Sequence, residues 1–125
     1  IMTFDETIAT LRQRAADLFL DTWPYNAHTT ASDALLVGLP VLTRIGSTFP
    51  GRVAASLLRA VGLPELVTES VAAYEALAIE LGCDPSRLAA LRMRLTANLA
   101  TAPLFDTART TRALEAAYLE MHRRR

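Results

Sequence analysis

The spacing of apolar positions changes along the chain, and the changes sort it into elements. Over 3–15, Phe4, Ile8, Leu11 and Ala15 recur at helical intervals, and Asp5 and Glu6 lie near the start, where the helix dipole favours carboxylates. Residues 17–21 form a short apolar run of strand type, interrupted by Trp23-Pro24. A helical pattern over 30–37 stops at Gly38, a residue suited to the position just past a helix end. Pro40-Val-Leu-Thr43 predicts a second strand. The loop 44–51 then leads into a helix over 52–61, closed by Gly62, and Pro64-Glu-Leu-Val67 reads as a third strand.

The rest is helical. Ser70 is placed to cap a helix with Tyr74, Leu77, Ala78 and Leu81 on one face and Gly82 at its end. Asp84-Pro85 puts a carboxylate at an N-cap and a proline at N1, ahead of the stripe Leu88, Leu91, Leu95 and Leu99. Pro103 breaks that helix. Asp106 caps a last one, whose expected buried face is Leu114, Ala117, Tyr118 and Met121. Strands alternating with helices predict an α/β fold with a short parallel sheet, flanking helices and a helical C-terminal tail. Residues 1–125 read as a single domain. Three short strands make a narrow sheet, as expected for the later part of a larger Rossmann-like domain.

Composition changes this picture only at the margins. A hydrophobic fraction of 51% in 125 residues supports a proper core. Thirteen basic residues balance thirteen acidic ones, so no nucleic-acid or anionic-membrane partner is indicated. All the basic residues are Arg; without lysine, no ammonium is available to a phosphate or to catalysis. Cys83 is the single cysteine, which excludes a disulfide framework or cysteine metal cluster, and its place at a helix end suggests a partly buried, inert thiol. No apolar run reaches transmembrane length and no signal peptide is visible, so the default expectation is a cytoplasmic protein.

The candidate chemistry lies in the stretch 18–33. An apolar strand passes through a polar, proline-containing turn into His28-Thr29-Thr30, directly before the apolar helix pattern. The first N–H groups of a helix have no intrahelical acceptor, and the dipole favours an anion there, so this geometry suits a phosphate. Asp33 lies one turn further in, where a carboxylate can accept from a sugar hydroxyl. The simpler alternative is that Thr29 or Thr30 caps the helix and His28 is a surface residue. Tyr25 and Asn26 are expected to shape the loop, Asn26 through Asx-type bonds. Trp23 reads as core or interface packing. Arg52, at the start of the helix after the second loop, either reaches a phosphate or is a solvated first-turn residue.

The run Ala16-Asp-Leu-Phe-Leu-Asp-Thr22, then Pro24-Tyr-Asn-Ala-His-Thr-Thr-Ala-Ser-Asp-Ala-Leu35, then Gly38-Leu-Pro-Val-Leu-Thr43, resembles the C-terminal catalytic lobe of the O-linked N-acetylglucosamine transferases. The bacterial SPINDLY-like members, which carry tetratricopeptide repeats, are the most similar. The likeness continues through Arg52-Val-Ala-Ala-Ser56, Gly62-Leu-Pro-Glu-Leu66 and Pro103-Leu-Phe-Asp106.

The resemblance implies a Rossmann-like lobe of an inverting GT-B glycosyltransferase. His28, Thr29 and Thr30 would hold the diphosphate of a nucleotide-sugar, UDP-N-acetylglucosamine, and Asp33 would bind its ribose; Arg52 is a further candidate. It implies no metal or other cofactor. The implied partners are a preceding catalytic lobe with repeats, and a protein acceptor glycosylated on Ser or Thr. Three features depart from the family pattern, the first being that this sequence holds neither the acceptor-side lobe nor the repeats. The histidine that stacks on uracil aligns with Ala9, and the lysine that assists the leaving diphosphate is absent. The chain is therefore expected to bind without turnover. A SPINDLY-type fucosyltransferase lobe using a guanine nucleotide, or a non-catalytic interaction module, are the alternatives.

Overall fold

The computed structural model describes Leu11 and residues 15–125. The helix expected over 3–15 lies almost wholly outside the described residues, as does Ala9. Three strands, β1 (Phe19–Leu20), β2 (Val41–Arg44) and β3 (Val67–Thr68), form one parallel sheet in the order β1-β2-β3. Phe19 and Leu20 pair with Val41 and Leu42, while Thr43 and Arg44 pair with Val67 and Thr68. Helix α1 (Thr29–Leu36) connects β1 to β2, and α2 (Val53–Ala60) connects β2 to β3. Then follow α3 (Val71–Cys83), α4 (Pro85–Leu99) and α5 (Thr107–Arg123).

Val41, Leu42 and Thr43 are consecutive and all buried. Successive strand side chains point to opposite faces, so both faces of β2 are covered. Helices α1 and α2 pack on each other and on β2, as expected where parallel strands in sequential order are joined by crossovers of one hand. Helix α3 packs on β2 and β3 and is backed by α4. Leu35, Leu42, Leu58, Leu81 and Leu95 bring α1, β2, α2, α3 and α4 into a single core.

Locally encoded features appear where expected. Ser70, Asp84 and Asp106 each accept a hydrogen bond from the N–H three residues on, capping α3, α4 and α5. Gly38 and Gly62 take positive φ of 83° and 77° just past α1 and α2. On α4, Leu91 and Leu95 are buried, with Leu88 and Leu99 half-buried beside them.

Four expectations are corrected. Pro64–Leu66 is a 3-10 turn rather than strand; proline has no N–H for a ladder, and Leu66 N–H instead donates to Leu63 O at 3.2 Å, so β3 begins at Val67. Gly82 does not end α3, which runs on through Cys83 to Asp84. Only a glycine with positive φ stops a helix in the expected way, and Gly82 is not among those. The Cys83 thiol is exposed rather than partly buried. Finally, α5 buries none of its residues: Leu114, Ala117, Tyr118 and Met121 all face solvent. Periodicity marked an apolar face correctly, but no described element covers it, and α5 touches mainly the 3-10 turn Pro103–Phe105. No helix among the described residues is long and apolar enough to cross a membrane.

Candidate functional site

The two polar loops, 21–28 and 45–52, leave the carboxyl ends of β1 and β2, where parallel α/β sheets place their ligands. The first loop is built around Asp21, which is 2% exposed. Its Oδ1 accepts from the Ala27 N–H at 2.8 Å and its Oδ2 from the Thr43 hydroxyl at 2.7 Å. The Asp21 carbonyl accepts from the Tyr74 hydroxyl on α3 at 2.9 Å. The Thr68 hydroxyl of β3 donates in turn to the Thr43 carbonyl at 2.8 Å. The carboxylate thus ties the loop to β2, the Asp21 carbonyl ties it to α3, and β3 joins through Thr43. Burial, and secondarily the charge of Asp21, push the Tyr74 phenol above its ordinary value of 10.0.

Within the loop the Trp23–Pro24 peptide is cis. The Thr22 hydroxyl donates to the Tyr25 carbonyl, and the side-chain amide of Asn26 donates to the Thr22 carbonyl, each at 2.9 Å. Asn26, 1% exposed, also donates its backbone N–H to the Pro50 carbonyl at 3.0 Å, joining the two loops. Asn26 shapes the loop as expected, but not through an Asx-type bond: its Oδ1 has no partner among the described residues, and the side-chain amide nitrogen makes the contact. Gly51 lies in the same seam. A Cβ there would meet the Pro24 carbonyl oxygen at 3.1 Å and the Gly46 Cα at 3.3 Å, so only glycine fits without displacing backbone. Trp23 packs edge-on against Tyr74, with centroids 4.9 Å apart, and the Arg44 guanidinium lies 5.8 Å from its ring centre.

The loop delivers His28 as the N-cap residue of α1, which corrects the capping alternative: Thr29 is already the first helical residue. His28 makes no side-chain cap bond, and Arg52, the N-cap of α2, makes none either. The helices that start at the sheet's carboxyl edge thus lack side-chain caps, unlike α3, α4 and α5. The His28 imidazole stacks on Tyr25, with centroids 4.9 Å apart and planes inclined by 16°, and lies perpendicular to Phe49 at 6.3 Å. Its Nε2 is buried without a hydrogen-bond partner among the described residues. Thr29, Thr30 and Asp33 are exposed, and the spacing of three to four residues puts Asp33 on the same helix face as the two threonines.

Among the described residues Arg52 pairs with no carboxylate. Its Nη1 donates to the Gly46 carbonyl at 3.3 Å, closing its own loop, and the side chain lines a groove of about 390 Å³ with Phe49, Val53, Ser56 and Leu57. His28, Thr29, Thr30 and Asp33 are therefore brought together on one helix start, with Arg52 on the adjoining loop. Sequence reasoning missed the roles of Asp21, Thr43 and Thr68. The available signal was a carboxylate directly after an apolar strand, where a buried charge requires donors.

A uniformly placed set of N–H groups, an imidazole and a carboxylate at a sheet edge can hold a diphosphate and a polyol. Comparison with known proteins gives this arrangement a context. The family model described as Glycosyl transferase family 41 matches residues 5–114. A probable UDP-N-acetylglucosamine--peptide N-acetylglucosaminyltransferase SPINDLY of Oryza sativa is 43% identical over 108 residues, covering 86% of this chain and 12% of that protein. The UDP-N-acetylglucosamine--peptide N-acetylglucosaminyltransferase of Caenorhabditis elegans is 39% identical over 95 residues, covering 76% of this chain and 8% of that protein. An O-GlcNAc transferase mutant from Thermobaculum terrenum superposes with a TM-score of 0.86 at 39% identity, covering 92% of this chain and 22% of that one. The chain thus spans about a tenth of the length of the curated relatives it matches. The short parallel sheet and flanking helices are those of a Rossmann-like lobe of a GT-B glycosyltransferase, and the chain belongs to glycosyl transferase family 41.

Proposed function

We propose that the chain is the nucleotide-sugar-binding lobe of a protein O-N-acetylglucosaminyltransferase with UDP-N-acetylglucosamine as donor. The N–H groups at the start of α1, with His28, Thr29 and Thr30, hold the diphosphate, and Asp33 accepts from the ribose hydroxyls. Arg52 adds positive charge from the second loop. The carrying observation is the α1 start: it has no side-chain cap from its N-cap residue and is pinned to the sheet edge through Asp21 and Asn26. It lies in a chain 43% identical to a transferase named for that donor.

The departing UDP gains charge as the glycosidic bond breaks. Preorganised N–H dipoles and an imidazole stabilise that charge without having to reorganise, and without a metal. The acceptor hydroxyl must also be held in line with the anomeric carbon, a positioning worth several kcal/mol of barrier, on the order of 7–11 in the best cases. In this reading the acceptor side and the lysine that assists the leaving group come from a preceding lobe, and this chain alone does not turn over.

Calorimetric titration with UDP, GDP and inorganic phosphate tests the binding role. UDP is expected to bind weakly and GDP more weakly still, and His28→Ala is expected to remove most of the UDP affinity. Preference for GDP would favour a SPINDLY-type fucosyltransferase lobe, and no response to either nucleotide would leave a non-catalytic module. Incubation with radiolabelled UDP-N-acetylglucosamine and an acceptor peptide tests the rest. Labelled peptide above background, abolished by His28→Ala, would contradict the incomplete-catalyst reading.

A further inference from the structure

Neither ring nitrogen of His28 hydrogen-bonds to a described residue, and Nε2 is covered without a partner. An imidazole is usually oriented by a hydrogen bond on the nitrogen opposite the working one. Among the described residues no such bond sets the ring, so its rotation about χ1 and χ2 is left to packing. Two aromatic side chains supply that packing: the face of Tyr25, nearly parallel at 4.9 Å, and the ring of Phe49, perpendicular at 6.3 Å.

Tyr25 is also 63% exposed, an unfavourable position for a large ring unless it is used. Its backbone is not free to wander. The Thr22 hydroxyl holds the Tyr25 carbonyl, and Asn26, the next residue, is tied to Pro50. A ring on a fixed backbone, stacked flat on an imidazole with no hydrogen bond, is a rigid backstop.

We infer that Tyr25 is a positioning residue that sets the orientation of His28 by ring stacking, so that the imidazole meets the diphosphate of the donor. This rests on the nucleotide-binding role proposed for His28. The ring does the work and the phenol hydroxyl does not, so phenylalanine should serve as well as tyrosine. Phe49 lies farther off, at 6.3 Å and perpendicular, and should matter less.

The test is a double-mutant cycle read by calorimetry with UDP. Tyr25→Leu should weaken UDP about three- to ten-fold, the range expected for losing one aromatic pair. Tyr25→Phe should stay within about two-fold of the parent. In a His28→Ala background, Tyr25→Leu should change nothing further, because the stack acts only through the imidazole. A damaged fold, or direct contact of Tyr25 with the nucleotide, would instead carry the same loss into that background and overturn the inference.

A second readout needs no nucleotide. The chain has two histidines, so comparison with His28→Ala assigns the His28 ring protons in the NMR spectrum. Stacking should shift them upfield, Tyr25→Leu should release the shift, and Tyr25→Phe should keep it. Unmoved resonances in Tyr25→Leu would refute the stacking role. UDP binding in the parent with unchanged affinity in Tyr25→Leu overturns this inference alone. A parent that binds no UDP overturns the proposed function and this inference with it.

Discussion

Replacing Asp21 tests whether a buried carboxylate builds the candidate site. In Asp21→Ala two donors lose their acceptor at once, the Ala27 N–H and the Thr43 hydroxyl. Each buried donor left unsatisfied costs about 1–3 kcal/mol, so the sum is about 2–6 kcal/mol, a large share of the ~5–15 kcal/mol that holds a domain together. Asp21→Asn keeps the shape and one acceptor oxygen. The Ala27 N–H can keep that oxygen, while the Thr43 hydroxyl rotates to accept from the new amide. What is lost is the charge assistance, about 1–2 kcal/mol, the difference between charged and neutral hydrogen bonds. The predicted order of stability is therefore parent, then Asp21→Asn, then Asp21→Ala. Urea unfolding followed by circular dichroism measures it, provided the denaturant slope is the same in all three. An opposing term exists, because an ionised carboxylate that is 2% exposed has been taken out of water. If Asp21→Asn unfolds at or above the urea midpoint of the parent, desolvation outweighs the charged hydrogen bonds, and the reasoning that Asp21 stabilises the loop fails.

Asp33→Asn should weaken UDP more than pyrophosphate, since only UDP carries the ribose hydroxyls; equal losses in calorimetry would assign Asp33 to organising the helix start. Gly51→Ala should destabilise the chain by about 1–3 kcal/mol, because the new methyl meets backbone on both loops. Gly82→Ala, on an exposed helical turn with nothing within 4 Å of the added carbon, should stabilise it by about 0.4–1 kcal/mol; urea midpoints check both signs. The raised Tyr74 phenol means that the fold prefers its neutral form. The stabilisation from that residue is intact below the unfolded value of about 10 and is lost as pH rises through the higher folded value. Melting curves between pH 8 and 11.5 should therefore fall more steeply for the parent than for Tyr74→Phe.

What was legible in the sequence is what depends on neighbours a few residues away. Ser70, Asp84 and Asp106 announce helix starts because the cap and the N–H it satisfies are three residues apart. Gly38 and Gly62 announce ends because a short apolar segment stops beside them. The alternation of elements fixed the parallel sheet. The misreadings of Gly82 and α5 needed more than the local apolar pattern holds. Whether Gly82 ends α3 depends on whether the chain turns there, and Asp84 gave it a later place to do so. An amphipathic stripe on α5 states that a face is apolar, not which element covers it. The residues of the first loop were visible as a group, from His28 to Asp33. The role of Asp21 in holding that loop was not, because Thr43, which donates to its carboxylate, and Tyr74, which donates to its carbonyl, lie 22 and 53 positions away. Stacking of Tyr25 on His28 was equally hidden, since a two-residue turn separates them and only its geometry brings the rings face to face.

The hydrogen bond from Tyr74 to the Asp21 carbonyl has a consequence for moving this site to another scaffold. The stretch from Leu18 to Asp33 carries the phosphate-type chemistry and could be mistaken for a transplantable cassette. Grafted alone between a foreign strand and helix, it would arrive without Thr43, Thr68 and Tyr74; the Asp21 carboxylate would keep the Ala27 N–H but lose the donor to Oδ2, and its carbonyl would lose the Tyr74 hydroxyl. The smallest portable unit runs from β1 through the first turn of α3. Variation on α3, far from any ligand in sequence, is accordingly a route by which the loop's shape can be retuned while every residue of the loop itself stays the same.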